Sequence, residues 1–214
     1  MDQEIIETGQ GIETGRRERR RVETHERLFR AALKLFAEKG FAATTVEDIT
    51  ETADVGKGTF FNYFPSKEHV LAAFGDMQMN KARAVIAQAK PGEPPRDVMH
   101  RVLHKLAEEP GRSPALVRSL LGGHLSQELV RCMVCEHLNR GLEFFDSLIA
   151  EAQRRGQIRT DRPSAILARY FFQVYFGTLL HWTLFPDESL VDRLDTAFDL
   201  TWAAVSSESG SRAT

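Results

Sequence analysis

The chain has 214 residues, of which 42% are hydrophobic and 27% are charged, and its formal net charge is −2. That length accommodates one or two domains with a sizeable core, and the near-neutral charge excludes a protein that coats nucleic acid over its whole surface. No apolar segment follows Met1, which predicts a cytoplasmic protein without a secretory signal.

The N-terminal segment combines an acidic stretch with a basic cluster. Residues 1–15 contain four acids and three glycines but no base, and five arginines then fall within six residues, offset only by Glu18. This composition predicts a disordered basic arm over 1–22. Arg19, Arg20 and Arg21 are candidates for contacts in the minor groove of DNA or with phosphates. The alternative interpretation is a solvated run of charge.

A first helix is predicted from a cap at Thr24 to a stop at Gly40. Its apolar residues recur at intervals of three and four and form a stripe wide enough to pack on two partners: Leu28, Ala31, Ala32, Leu35 and Phe36. Gly40 can take the left-handed conformation that ends a helix, which brings Phe41 against Phe36.

Two shorter helices are predicted next, joined by a tight turn. Thr45 with Asp48 makes a capping-box start, and Val46, Ile49 and Ala53 form one apolar face. Asp54-Val55-Gly56 makes the turn, and a second helix follows from Lys57 to Phe64. Pro65 ends that helix, and Ser66 can cap the next one at Lys67. The pattern is typical of a helix-turn-helix that places its second helix in a DNA major groove.

The remainder of the chain is predicted to be helical, which gives an all-α protein of about nine helices. Gly122-Gly123 is interpreted as a helix break, and Gly156 as the end of a long helix. The predicted helices lie at 67–89, 96–109, 114–121, 126–155, 163–184 and 188–206. The predicted domains are a helix-turn-helix domain at 23–70 and a ligand-binding and dimerisation domain at 71–206, followed by a disordered tail at 207–214.

The helix predicted at 163–184 is apolar on every side. Its uncharged run, from Tyr170 to Phe185, has sixteen residues, which is short of the ~20 needed to span a bilayer. We therefore expect burial between the core of the chain and a second subunit. The predicted dimer interface comprises Phe171, Val174, Gly177, Thr178, His181, Leu194, Phe198 and Trp202.

The stretch GFAATTVEDITETADVGKGTFFNYFPSKEHVL resembles the DNA-binding domain of the TetR family of bacterial transcriptional repressors. The resemblance is strong over residues 24 to about 75, and a weaker cue follows at Gly156–Asp161. The chain departs from the family at three positions. Asp54 stands where Gly is common, Gly56 where Ser is common, and Phe61 where Tyr is more usual.

The resemblance implies a homodimeric all-α repressor that reads a palindromic DNA operator. Carried over position by position, the implied DNA contacts are Thr45, Lys57, Gly58, Thr59, Phe61, Asn62, Tyr63 and Lys67. Lys57 would donate to guanine or phosphate, and Tyr63 and Lys67 would hold phosphates. The alternative interpretation makes Tyr63 partly core and Asn62 merely solvated.

The resemblance also implies a small molecule inside the C-terminal bundle that controls DNA binding through the helix beginning at Lys67. Candidate ligand contacts suit a hydrophobic or aromatic compound: Met77, Met133, His137, Phe144, Phe172 and Tyr175. Ordinary core packing is the alternative for each of them. A second hypothesis is a DNA-binding protein whose bundle recruits a protein partner, and a third is a bundle enzyme or carrier with a vestigial DNA-binding segment.

Two cysteines three apart, Cys132 and Cys135, share a helix face in this interpretation. Core packing is the leading explanation, with a redox switch or a metal site as alternatives. No nucleophile elbow, phosphate loop or metal-binding protease motif occurs in the sequence. We therefore predict no enzymatic activity, no catalytic or metal-binding residues, no cofactor and no membrane association.

Overall fold

The computed structural model describes the backbone of residues 4–126 and 128–207 and, within these ranges, all side chains except those of residues 4–14, 124–126, 128–131, 133, 134 and 137. The predicted all-α fold is confirmed. The described helices are α1 (Glu4–Lys39), α2 (Val46–Thr52), α3 (Lys57–Phe61), α4 (Lys67–Ala87), α5 (Pro95–Ala107), α6 (Pro114–Ser126), α7 (Glu128–Arg154), α8 (Ser164–Leu184) and α9 (Leu190–Val205). A 3₁₀ turn at Pro110–Arg112, which the sequence analysis missed, joins α5 to α6.

Helix α1 begins earlier than predicted. It runs through most of the segment that was expected to be a disordered arm. Thr24 does not cap it. The Thr24 hydroxyl instead donates to the Arg20 carbonyl within the helix, at 2.8 Å. The segment contains no proline, and its Arg, Glu and Gln residues have favourable helix propensity, so the helix continues once the buried part of α1 has formed.

The helix-turn-helix contains the cap and the turns that the sequence predicted. Thr45 caps α2: its hydroxyl accepts from the Asp48 amide at 3.1 Å, and its own amide donates to the Asp48 carboxylate at 2.8 Å. Asp54, which stands where the family commonly has Gly, has a φ of 51° and so adopts the left-handed conformation in this turn. Gly40 has a φ of 86°, and the rings of Phe36 and Phe41 meet with centroids 5.1 Å apart.

Helix α3 is shorter than predicted and ends at Phe61 rather than Phe64. Pro65 disfavours a helical conformation in the residue before it, so the chain leaves the helix through the turn that Asn62 begins. Ser66 is at the N-cap position of α4 as predicted, but its side chain makes no capping bond to the helix backbone. It hydrogen-bonds His69 Nδ1 at 3.0 Å instead.

Two buried cores organise the chain, and α6 contributes to both. The first surrounds the helix-turn-helix and includes Leu28, Phe36, Ile49 and Phe60, together with Leu116 and Leu120 of α6. The second fills the C-terminal bundle and includes Val117 of α6. Gly122 and Gly123 continue α6 and do not break it. A Cβ on Gly123 would lie 3.0 Å from Leu71 and 3.2 Å from Phe41, so this glycine allows α6 to pack closely against the helix-turn-helix.

Helix α8 has one buried face and one exposed face in the single chain. Phe171, Tyr175, Leu179 and Trp182 are buried, whereas the opposite side exposes a stripe of residues spaced three or four apart: Ile166, Tyr170, Gln173, Gly177, Leu180 and Leu184. Leu200 of the adjacent α9 is 68% exposed. No helix in the described part of the chain has the length and hydropathy that a bilayer crossing requires.

Candidate DNA interface and ligand cavity

The outer surface of α3 is exposed to solvent. Phe60 and Phe64 point inward and are buried, while Lys57, Gly58, Phe61 and Asn62 are exposed. Gly58 has no atom within 4 Å of where a Cβ would lie, so another molecule can approach its backbone closely. The short helix therefore presents a mixed polar and apolar surface at the outside of the helix-turn-helix, as base reading requires.

Thr45 and Asp48 form a capping network that also includes a lysine of α1. Lys39 Nζ lies 2.7 Å from the Asp48 carboxylate, and Thr45 adds its amide and hydroxyl. Donation by Lys39, and then by Thr45, lowers the pKa of Asp48 to about 2. The Thr45 hydroxyl is consequently engaged within the domain, although the residue remains exposed at the start of α2.

Lys57 is held by an acidic neighbour on α2. Its ammonium forms an ion pair with Glu47, and both side chains are more than half exposed. The hydrogen bond from Lys57 lowers the pKa of the Glu47 carboxyl. A DNA phosphate reaching Lys57 therefore competes with a carboxylate that lies beside the same surface.

We expect Glu47→Gln to strengthen DNA binding about three- to ten-fold at low salt, because it removes a negative charge beside the phosphates and releases Lys57. Lys57→Gln should weaken binding about ten-fold and reduce the slope of log K against log salt by about one. Fluorescence anisotropy over a salt series measures both effects. The control is Lys90→Gln, which removes an exposed lysine from the loop after α4. If the slope of log K against log salt for Lys57→Gln equals that of the control, Lys57 does not contact a phosphate.

Tyr63 and Asn62 differ in how far they are available to DNA. Tyr63 is half-buried, and its ring meets His25 of α1 edge-on at 6.0 Å, while His25 also packs on Phe64 at 4.8 Å. Burial lowers the pKa of His25, which favours a neutral imidazole in this aromatic cluster. Tyr63 thus serves partly as core, as the alternative interpretation had it, whereas Asn62 is exposed.

Lys67 has a different environment from the one predicted for it. Its ammonium donates to three main-chain carbonyls in the loop between α1 and α2, those of Phe41 at 2.9 Å, Ala42 at 3.3 Å and Thr44 at 2.9 Å. It also lies 4.7 Å from the centre of the Phe41 ring. An ammonium has three donors. All three are therefore used within the protein, which gives Lys67 a structural role where the resemblance implied a phosphate contact.

The arginines of the predicted arm lie on α1. Arg19, Arg20 and Arg21 are exposed, and Arg19 pairs with Glu23 at 3.6 Å. Consecutive residues of a helix point about 100° apart, so the three side chains face different directions. A rigid helix can therefore bring only part of this cluster to one DNA surface.

A cavity of about 120 Å³ lies inside the bundle, between α4, α5, α6, α7 and α8. Of the predicted ligand contacts, Phe172 and Tyr175 line it. Met77 packs against the helix-turn-helix core, and Phe144 packs on the bundle core away from this lining. The side chains of Met133 and His137 lie outside the described residues. The remaining lining includes Leu71, Phe74, Gln78, Met79, Leu106, Val117, Leu120, Leu121, Leu138, Phe176 and Leu179.

Two polar side chains, those of Gln78 and Tyr175, are among the groups that line this apolar cavity. Gln78 donates from Nε2 to the Leu106 carbonyl at 2.7 Å, and its Oε1 is buried without a hydrogen-bond partner. Burial raises the pKa of the Tyr175 hydroxyl, which therefore stays protonated and can donate. An unpaired buried acceptor costs free energy, and a bound molecule with a donor group would satisfy it.

The cavity shares its wall with the core of the helix-turn-helix. Leu71 and Phe74 of α4 and Leu120 of α6 line the cavity and also belong to that core. Pressure on this wall from a bound molecule would therefore be transmitted directly to the packing of the DNA-binding domain.

The residues predicted for a dimer interface divide into three groups by burial. Phe171, Leu194 and Phe198 are buried in the core of the single chain, because they form the inner faces of α8 and α9, so they offer no surface to a partner. Gly177 and His181 lie on the exposed side of α8. Val174 and Thr178 of α8 and Trp202 of α9 are partly buried. The largest exposed apolar side chains near them, which the sequence analysis did not select, are Ile166, Tyr170, Leu180, Leu184, Phe185 and Leu200.

Cys132 and Cys135 are free and exposed on α7, so the prediction that they pack in the core is wrong. Residues three apart on a helix share a face, as predicted, but this face is turned outward.

Comparison with known proteins gives consistent matches. A family model described as "Bacterial regulatory proteins, tetR family" matches residues 28–74. The uncharacterized HTH-type transcriptional regulator YerO of Bacillus subtilis is 37% identical over 83 residues, a match that covers 37% of this chain but only 28% of that protein. The HTH-type transcriptional repressor KstR of Mycolicibacterium smegmatis is 27% identical over 165 residues, which cover 75% of this chain and 76% of that repressor.

A solved structure extends the similarity to nearly the whole chain. FadR from Thermus thermophilus is a TetR-family transcriptional repressor whose structure was determined in complex with lauroyl-CoA. It superposes with a TM-score of 0.62 at 28% identity, covering 83% of this chain and 92% of FadR. The similarity therefore includes the helices that surround the cavity as well as the helix-turn-helix.

Proposed function

Because this chain belongs to the TetR family of bacterial transcriptional regulators, we propose that it is a repressor that binds a palindromic operator as a homodimer and is released by a small, largely apolar ligand. The observation that carries this proposal is the shared wall of Leu71, Phe74 and Leu120, which connects the apolar cavity to the core that supports α3.

The α3 surface supports the operator part of the proposal. Lys57, Gly58, Phe61 and Asn62 are exposed on a helix that Phe60 anchors from beneath. Two such surfaces, related by a two-fold axis, would read half-sites about 34 Å apart in successive major grooves.

The exposed stripe on α8 supports the homodimer. Ile166, Tyr170, Leu180 and Leu184 are each about half exposed or more in the single chain, and Leu200 of α9 extends the patch. A second copy of the same surface would bury these side chains in a four-helix packing of α8 and α9. Gly177, whose Cβ position is open, would allow the two α8 helices to approach closely.

The ligand is inferred from the cavity lining and from the similarity to FadR. Aliphatic and aromatic side chains suit an apolar body, and Gln78 with Tyr175 suits a polar end that both donates and accepts hydrogen bonds. The volume of about 120 Å³ is below the ~300–1,000 Å³ of pockets for drug-sized ligands, so a chain as long as lauroyl would have to displace α4 or α6. That displacement is the proposed cause of release from DNA.

The test begins with selection of bound fragments from random DNA, followed by anisotropy with the selected duplex. We expect a two-fold symmetric site and release of the protein by lauroyl-CoA or by 1-decanol. The methyl ether of 1-decanol should bind about two- to ten-fold more weakly than the alcohol, because it cannot donate to Gln78.

Val117→Phe, which fills the cavity from α6, should retain DNA binding and lose the response to the ligand. Release of this variant at the wild-type ligand concentration would refute the assigned site.

A further inference from the structure

A cluster of three potential metal ligands joins α5 to α9, on residues that the helix-turn-helix, the cavity and the exposed stripe do not use. His100 and His104 are four apart on α5 and therefore lie on one face of the helix. Their Nε2 atoms lie 2.9 Å and 2.5 Å from the same atom, Oδ1 of Asp195 on α9. The two imidazole rings are 4.4 Å apart, centre to centre.

We propose that His100, His104 and Asp195 bind one Zn²⁺ ion per chain, with a water molecule as the fourth ligand. Two imidazoles and one carboxylate form a ligand set that zinc uses when one position stays open to solvent. Tetrahedral zinc with bonds of about 2.0–2.1 Å holds its ligand atoms roughly 3.3 Å apart. The two separations between the histidine nitrogens and the Asp195 carboxylate would therefore widen by less than about 1 Å, which side-chain torsions can supply.

The surroundings hold the three ligands in place and leave the carboxylate available. The His100 ring packs on Phe198 at 5.3 Å, which restricts its rotation. Arg96, one turn before His100 on α5, pairs with Asp199 at 2.6 Å rather than with Asp195. The three side chains are 34–40% exposed, so an ion can enter and a water ligand can remain.

Zinc at this site would act as a clamp between α5 and α9. Helix α5 also supplies Leu106 to the cavity wall, and the Leu106 carbonyl holds Gln78 of α4. Bound metal would therefore stabilise the part of the cavity wall that contains Leu106 and Gln78.

The test uses tag-free protein that carries Cys132→Ser and Cys135→Ser, because these exposed thiols could bind zinc themselves. Calorimetry with ZnCl₂ should give one site per chain, and CoCl₂ should give the visible absorption bands of four-coordinate cobalt. Zinc in excess should raise the Tm by several degrees, since it binds the folded chain alone.

His104→Gln and Asp195→Asn, made separately in this background, should each weaken zinc binding at least ten-fold and abolish the cobalt bands. His69→Gln is the matched control, because it removes a histidine of α4 that lies outside the cluster. The far-UV circular dichroism of each variant should match that of the parent. Unchanged zinc affinity in both site variants, or the same loss in His69→Gln, would overturn the proposal, and neither result bears on DNA binding.

Discussion

Replacing Leu184 with glutamate is expected to convert the proposed homodimer to monomers and to weaken binding to a symmetric operator at least about 100-fold. Leu184 is 62% exposed at the end of the α8 stripe, so the substitution removes little packing within the chain. In a two-fold interface it would bury two carboxylates without partners, and each costs several kcal/mol. A monomer would hold one half-site only and would lose the avidity of the second.

A substitution on the buried face of α8, Phe171→Ala, tests whether the loss of the dimer is specific to the exposed stripe. Phe171 is 5% exposed and packs on Phe198 and Trp202, so its truncation should lower the free energy of unfolding by about 3–5 kcal/mol. Light scattering coupled to size-exclusion chromatography would give the mass of each variant, and urea unfolding the stability. Gln88→Glu adds the same charge at the end of α4 and should remain dimeric. If the Leu184→Glu protein is still a dimer, the dimer interface lies on another surface.

The parts of the fold that the sequence predicted well are those in which the physical cause is local. Thr45 and Asp48 cap α2 because the two groups lie three residues apart, and no distant partner is required. The left-handed turn at Asp54 and the end of α1 at Gly40 likewise follow from the conformational freedom of single residues. These signals recover the helix-turn-helix as a unit and most helix boundaries after it.

The sequence failed where a distant segment decides the outcome. Nothing near Phe171 or Leu184 indicates which one faces the core, because α8 is apolar on both sides and only its packing against α6, α7 and α9 separates them. The two histidines four apart on α5 are visible in the sequence but were not selected, because their carboxylate partner, Asp195, lies about ninety residues away. The carbonyl acceptors of Lys67 were not predicted for the same reason, since they lie 23 to 26 residues before it.

Lys67→Met is expected to lower the free energy of unfolding by about 2–4 kcal/mol and to leave the salt dependence of DNA binding unchanged. Hydrogen bonds to a charged group contribute about 1.5–3 kcal/mol, and the carbonyls of Phe41 and Thr44 would lose a donor in a part-buried loop. Methionine retains most of the length and the apolar stem, so the loss reflects the ammonium. Urea unfolding measures the first effect and anisotropy over a salt series the second.

The two roles of Lys67 predict opposite pairs of results. A phosphate contact would reduce the salt slope by about one and leave stability unchanged, as expected for Lys57→Gln on the exposed face. A loop anchor would reduce stability, and DNA affinity would fall at every salt concentration by a similar factor, because α4 could no longer hold the α1–α2 loop and α2 in place. Lys67→Arg should be intermediate in stability, since a planar guanidinium cannot direct its donors at the same three carbonyls as an ammonium does. An unaltered urea midpoint in Lys67→Met, together with a reduced slope, would restore the phosphate contact that the family resemblance implied.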